Sequence, residues 1–219
     1  MGNIQNIKAI IREYLDRSGV SLVGFGTVPS GKLEVLEIKE DLPRAVVFGF
    51  RLSKTVLETI ADRPTLIYKH HYKTVNWLLD QTSYHLANLI ENRGYRALAI
   101  PASQVVDWIH HKGHISHRHL AVEAGLGHMG RSGLVISPKY GAQVRYTSVL
   151  TDLPFDADPK ANSSCGSCMK CIAACPAQAI DEKGIDMTKC YNKLDEFVKI
   201  RGISQHICGI CVRVCDGSD

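Results

Sequence analysis

Eight cysteines fall between Cys165 and Cys215, and the 164 residues before them contain none. They run Cys165-x2-Cys168-x2-Cys171-x3-Cys175-Pro176, then Cys190, then Cys208-x2-Cys211-x3-Cys215. Thiolates at successive two-residue gaps let one tight loop wrap three corners of an iron–sulfide cube, and the three-residue gap then turns the chain away. Eight such ligands fill two [4Fe–4S] clusters. In two-cluster proteins the fourth cysteine of each run serves the other cluster. The expected sets are therefore Cys165, Cys168, Cys171 and Cys215 for one cluster, and Cys175, Cys190, Cys208 and Cys211 for the other. Zinc sites use C-x2-C pairs too, but as two separated pairs. A disulfide framework would staple the whole of a small domain, which this distribution does not do.

The remaining candidates for chemistry lie just upstream. His110, His111, His114, His117 and His119 crowd one stretch, with His128 soon after. A solvated face explains such a cluster, and so does a source of protons near neutral pH, for which His114 and His117 are the candidates. Gly125, Gly127 and Gly130 satisfy G-x-G-x-x-G, but a helix and not a strand is expected before them, so a nicotinamide site is rejected. Glycines this dense suit either a turn-rich crossover or a backbone pressed against a flat, bulky cofactor, with Arg131 available to an anionic group. Tyr140 and Tyr146 follow closely, as candidates for a pocket wall and for the reaction. Trp77, Trp108 and Tyr84 are expected to serve packing.

The elements that must position these residues follow from periodicity. Ile4, Ile7, Ile11 and Leu15 recur at helical spacing up to Gly19. Buried strands are expected at 21–25 and 45–50, around a loop carrying Pro29, Gly31 and Pro43. A long helix is expected over about 67–93, ended by Gly94, then a strand over 95–100. Helical stretches are expected at 103–111 and 116–124. Segments 134–137 and 144–151 should form a hairpin around Pro138-Lys139-Tyr140-Gly141, and Cys190 should be carried on a short helix with residues 191–198. The fold class read from this order is α+β, with an α/β-layered domain over 1–155 and a cysteine module over 156–219.

The composition sets limits. A hydrophobic content of 45% supports a core that does not depend on clusters, and a net charge of +4 neither demands nor excludes nucleic acid. The start of the chain enters a helix without the pattern of an export signal, and no apolar run approaches a membrane span. A cytoplasmic setting is expected.

The order Ala121-Val122-Glu123-Ala124-Gly125-Leu126-Gly127, Gly130-Arg131-Ser132-Gly133, Tyr140-Gly141, Thr151-Asp152-Leu153-Pro154 and then the cysteine runs resembles the epoxyqueuosine reductase and reductive dehalogenase superfamily. The likeness is specific over the last 100 residues or so and follows only the outline upstream. It implies a nitroreductase-like first domain, a ferredoxin-like double-cluster module, and cobalamin (a corrinoid) held against Gly125, Gly127, Gly130, Arg131 and Tyr140. Electrons would pass from a ferredoxin or flavodoxin through the clusters to a reductive step on a small substrate.

Two departures stand out. The acid that the epoxyqueuosine enzymes carry before AGLG is replaced by His110-His111-Lys112-Gly113-His114, and the chain stops at Asp219, where those enzymes continue into a helical-repeat domain. A short form with a different substrate is expected, with nucleic acid not expected as partner. The competing reading is an electron carrier that reduces a partner, such as a corrinoid protein, without substrate chemistry of its own. The length of the region before the cysteines favours a pocket over a bare carrier.

Overall fold

The computed structural model describes residues 2–29 and 41–217, without the side chains of residues 2–5. Gly31 and the Ile4 side chain lie outside that description. The chain divides into two compact units that are not sequential: residues 1–50, 76–126 and 145–161 form one, and residues 51–75, 127–144 and 162–219 form the other. This differs from the boundary expected near Phe155, because two earlier segments belong with the cysteines.

In the first unit, α1 (Gly2–Arg17) carries Ile7, Ile11 and Leu15 on one buried stripe, as the spacing requires. β1 (Leu22–Thr27) pairs antiparallel with β2 (Arg44–Arg51), matching Leu22 to Gly49 and Thr27 to Arg44. The sheet order is β1-β2-β6-β3, with β3 (Ala97–Ile100) antiparallel to β6 (Val144–Thr151). Ala45, Val46, Val47 and Phe48 are all buried, so β2 is covered on both faces and reads as an unbroken apolar run.

A second helix, α2, spans Lys54–Glu58 and is capped by the Ser53 hydroxyl on the Val56 N–H. α3 (Leu66–Glu91) is the long helix that the sequence foretold, and its Leu79, Leu86 and Ile90 are buried. Trp77, Tyr84 and Trp108 depart from expectation. They are 60%, 58% and 69% exposed; on α3 the inward stripe is formed by Leu79, Leu86 and Ile90 and not by Trp77 or Tyr84, and Trp108 lies in the turn after β3.

The expected helix over 103–111 is absent. Asp107 Oδ1 accepts the N–H groups of Ile109 and His110, and Asp107 bridges to Lys112 across a turn with His111 at a φ of 54°. A side chain that caps its own downstream amides competes with helix formation. α4 (His117–Glu123) then begins at Ser116, whose hydroxyl takes the N–H of His119.

In the second unit, β4 (His128–Met129) pairs with β5 (Val135–Ile136). The turn at Pro138–Gly141 forms, closed by a bridge between Ser137 and Gly141, but its strands do not pair as a hairpin because β5 pairs with β4. The cysteine segment supplies α5 (Lys170–Ala174), the β7 (Ile180–Asp181) and β8 (Gly184–Ile185) ribbon, α6 (Met187–Val198) and α7 (Ile210–Arg213). Asp186 caps α6 at the Lys189 N–H, so the helix starts at Met187 and carries Cys190 as expected. Leu57, Ile60, Tyr68, Phe197, Ile203 and Ile210 are buried in this unit. No helix among the described residues is long and apolar enough to cross a membrane.

Candidate metal centres

The eight thiols are free of disulfides. Their mutual electrostatics divide them. Burial first, then the charges of Cys165 and Cys168, raise the Cys171 thiol above its ordinary value, and Cys215 is raised by burial and by Cys171 and Cys165. Cys190 is raised by burial and then by Cys175. Burial pushes Cys208 up to about 11, with Cys190 and Cys175 adding to it, and pushes Cys211 up to about 12, with Cys208, Cys190 and Cys175 next in weight. The groups that repel one another are thus Cys165, Cys168, Cys171 and Cys215 on one side and Cys175, Cys190, Cys208 and Cys211 on the other. Cys171 is also the last and weakest charge acting on Cys211.

Around the first quartet lies a cavity of about 240 Å³, lined by its four cysteines together with His128, Arg131, Ser163, Lys170 and Asp216. Cys168 N–H bonds the Cys165 carbonyl at 3.0 Å across a turn that uses Gly166 at a φ of 49°. Cys171 rides on α5, and Cys215 follows α7. The Ala142 N–H holds the Cys215 carbonyl at 3.0 Å, and Gly141, at a φ of 55°, approaches so closely that a Cβ there would stand 2.4 Å from that oxygen. Among the described residues no three His, Cys, Asp or Glu side chains converge on a single ion. The cysteines of the first quartet surround a volume instead.

Several other expected residues lie in places that their sequence context did not reveal. Arg131 donates to the carbonyls of Cys168 at 2.9 Å and Gly166 at 2.8 Å, so its guanidinium braces the first cysteine loop. His128 stands beside Cys165, with Nε2 3.5 Å from Sγ and Nδ1 2.9 Å from the Ser163 hydroxyl, and burial lowers its pKa. Nothing local in the sequence announces these contacts, which join residues 35 or more positions apart.

The glycines meet this chain's own atoms. A Cβ on Gly125 would lie 2.2 Å from the Pro159 carbonyl oxygen, one on Gly127 2.2 Å from that of Ile136, and one on Gly130 2.5 Å from the Ile136 side chain. The N–H groups of Gly125 and Gly130 bond Val122 and Leu134. Tyr140 has the Arg51 guanidinium 4.9 Å from its ring centre and the Lys139 ammonium 5.1 Å away. The five positions expected to face a corrinoid thus also touch this chain's own atoms, the glycines by close approach and Arg131 and Tyr140 through their side chains.

In the first unit, His117 is part-buried, with Nδ1 3.0 Å from the Ser148 hydroxyl and Nε2 3.0 Å from the Pro101 carbonyl. Burial lowers its pKa to about 4, with the charges of Arg145 and His114 pressing the same way. A ring neutral down to that pH weighs against the expectation that His117 supplies a proton at neutrality. His114 is half-buried nearby, and Tyr146 is buried on β6. Arg145, which the sequence did not single out, bonds Asn76 Oδ1 through Nε at 3.2 Å and Nη2 at 3.0 Å.

No family model matches the chain. It is 27% identical to the epoxyqueuosine reductase of Aliivibrio fischeri over 93% of its own length and 54% of that protein. It is 32% identical to that of Bacillus subtilis over 47% of its length and 29% of the relative. The chain thus spans about half the length of these relatives or less. Among solved structures, the reductive dehalogenase NpRdhA with 3-bromo-4-hydroxybenzoic acid superposes on 94% of the chain and 31% of itself at a TM-score of 0.77 and 19% identity. A selenomethionine-labelled epoxyqueuosine reductase superposes on 97% and 65% at 0.70 and 20%. An epoxyqueuosine reductase with a modified tRNA-Tyr stem loop covers 87% of the chain at 0.62. The motif order and the fold agree: the chain is similar in sequence to epoxyqueuosine reductases and shares its fold with solved epoxyqueuosine reductases and reductive dehalogenases.

Proposed function

We propose that this chain is an iron–sulfur reductase that carries single electrons from a ferredoxin or flavodoxin to a reductive step on a small substrate. One [4Fe–4S] cluster would sit on Cys165, Cys168, Cys171 and Cys215, the other on Cys175, Cys190, Cys208 and Cys211, in a ferredoxin-like module. The observation that carries this reading is that eight free thiols at cluster spacing include four, Cys165, Cys168, Cys171 and Cys215, that line one cavity despite their distance in sequence. Thiols raised by burial need cationic metal to persist as thiolates, which fits the donor set to iron. When bound, each cluster supplies one-electron redox chemistry at a potential set by net charge, hydrogen bonds to sulfur and exposure.

The chain's own work is to hold and shield those thiolates. Arg131 fixes the first loop, the turn at Gly141 fixes Cys215, and the buried Ile207 and Ile210 flank Cys208 and Cys211. With His117 neutral, His114 and Tyr146 are the remaining candidates for proton delivery. Replacement of either by a residue without a titrating proton should slow turnover without changing iron content.

No step is assigned to cobalamin. The contacts of the glycine loop with the chain itself support a second reading, an electron carrier serving a partner that holds the corrinoid. Titration of the reconstituted protein with cobalamin, followed by absorbance, separates the two. Saturable binding supports substrate chemistry on this chain, and none supports the carrier. The relative solved with a modified tRNA stem loop makes an epoxyqueuosine-containing stem loop the first nucleic-acid substrate to assay. The missing acid before AGLG argues against its turnover, and turnover would overturn the small-substrate reading.

A further inference from the structure

The loop that follows Gly127 reaches the first quartet of cysteines through two side chains of different kinds. Arg131 binds backbone carbonyls of the loop, at Cys168 and Gly166, so it sets the loop's shape. His128 instead faces sulfur, with Nε2 3.5 Å from Cys165 Sγ. A thiolate ligand is an acceptor without a proton, so a hydrogen bond on that line requires the proton on Nε2. A neutral ring then presents Nδ1 as acceptor. The Ser163 hydroxyl, 2.9 Å away, can donate to it and complete a consistent set of roles. In the second quartet the corresponding bond comes from the backbone, where the N–H of Ala179 lies 3.4 Å from Cys175 Sγ.

A hydrogen bond to a ligand sulfur draws electron density from the cluster and raises its reduction potential. Reduction adds one electron and makes the thiolate sulfur a better acceptor, so the bond is stronger in the reduced state. We propose that His128, oriented by Ser163, donates its Nε2–H to the Cys165 thiolate and thereby favours the reduced form of the cluster on Cys165, Cys168, Cys171 and Cys215. His128 is a positioning and tuning residue here, and it contacts no substrate. The inference rests on the two-cluster reading above.

The test uses the full chain, anaerobically reconstituted and poised at one fixed potential and pH, with the reduced fraction of each cluster counted by electron paramagnetic resonance. Replacing His128→Leu removes the donor and should lower the reduced-to-oxidised ratio of one cluster about tenfold, the scale of one hydrogen bond to a charged group. The other cluster should not move. His128→Gln restores a donor and should recover most of the ratio, and Ser163→Ala should shift it in the same direction as the leucine variant by a smaller factor.

Unchanged ratios in both His128→Leu and Ser163→Ala would overturn the proposal, as would an equal shift of both clusters. Should His128→Leu fail to hold its cluster, Ser163→Ala decides: a lowered ratio supports the proposal and an unchanged one overturns it. Iron assayed on the same samples keeps the two readings apart. Full iron with an unmoved ratio removes the hydrogen bond alone, whereas wild-type protein without clusters removes the site.

Discussion

At the scale of single residues, the structure separates histidines that look alike in sequence. His117 has both ring nitrogens bonded, to Ser148 and Pro101, and a pKa lowered by burial to about 4. Because its folded pKa lies below the unfolded value near 6.5, the unfolded chain binds more protons between the two values. The stability His117 contributes is therefore complete above about pH 6.5 and is lost as pH falls towards about 4, by at most about 3 kcal/mol. Urea unfolding of His117→Gln across pH 4.5–8 should show a shallower loss of stability on acidification than the wild type. Equal slopes would mean that the ring is protonated in the folded state. Neither the bonds of His117 nor the nearness of His128 to Cys165 was legible in the sequence, where both are histidines near glycines. Their partners are Ser148 and Pro101 for the one, and Ser163 and Cys165 for the other, brought close by folding.

The elements show why the cysteine spacing could be read so directly. A short loop and α5 present Cys165, Cys168 and Cys171 from one local run, whereas Cys215 joins them only because α7 ends beside the turn at Gly141. Substituting Cys215→Ser should accordingly deplete the cluster of Cys165, Cys168 and Cys171 and spare the other; depletion of the Cys208 and Cys211 cluster alone would show the crossed arrangement to be wrong. Gly141→Val tests the same joint from the opposite side. A branched Cβ meets the Cys215 carbonyl and a positive φ together, so the variant should lose about 2 kcal/mol or more of stability and up to roughly half its bound iron. Wild-type iron and unfolding midpoint would refute that. Gly127→Val should disrupt the β4–β5 pairing, because its side chain would strike the Ile136 carbonyl. The sequence offered Gly127 as a position facing a corrinoid, and glycine density alone does not say whether the close neighbour is a ligand or the chain itself.

For the whole molecule, the reading turns on the number of irons. Anaerobic reconstitution should give about eight irons and eight acid-labile sulfides per chain, and two zinc ions without charge-transfer absorption would defeat it. What the sequence determined alone is what local rules encode. The stripe of Ile7, Ile11 and Leu15, the long helix ended near Gly94 and the apolar strand at Ala45–Phe48 all follow from periodicity over a few residues. The departures arise where a distant or competing partner prevails. Asp107 caps its own turn where a helix was expected, β4 takes β5 away from a hairpin with β6, and Trp77 and Trp108 stay exposed because other residues fill the interior. The two compact units interleave along the chain because packing is decided by which surfaces can bury one another, and sequence order constrains that only through the length of the connections. Spacing within a run is fixed by covalent geometry, which is why candidate ligands stand out in the sequence. The contacts of His128, Arg131 and Gly141 with the cysteine loops come from long-range closure, so they emerged only in the folded chain.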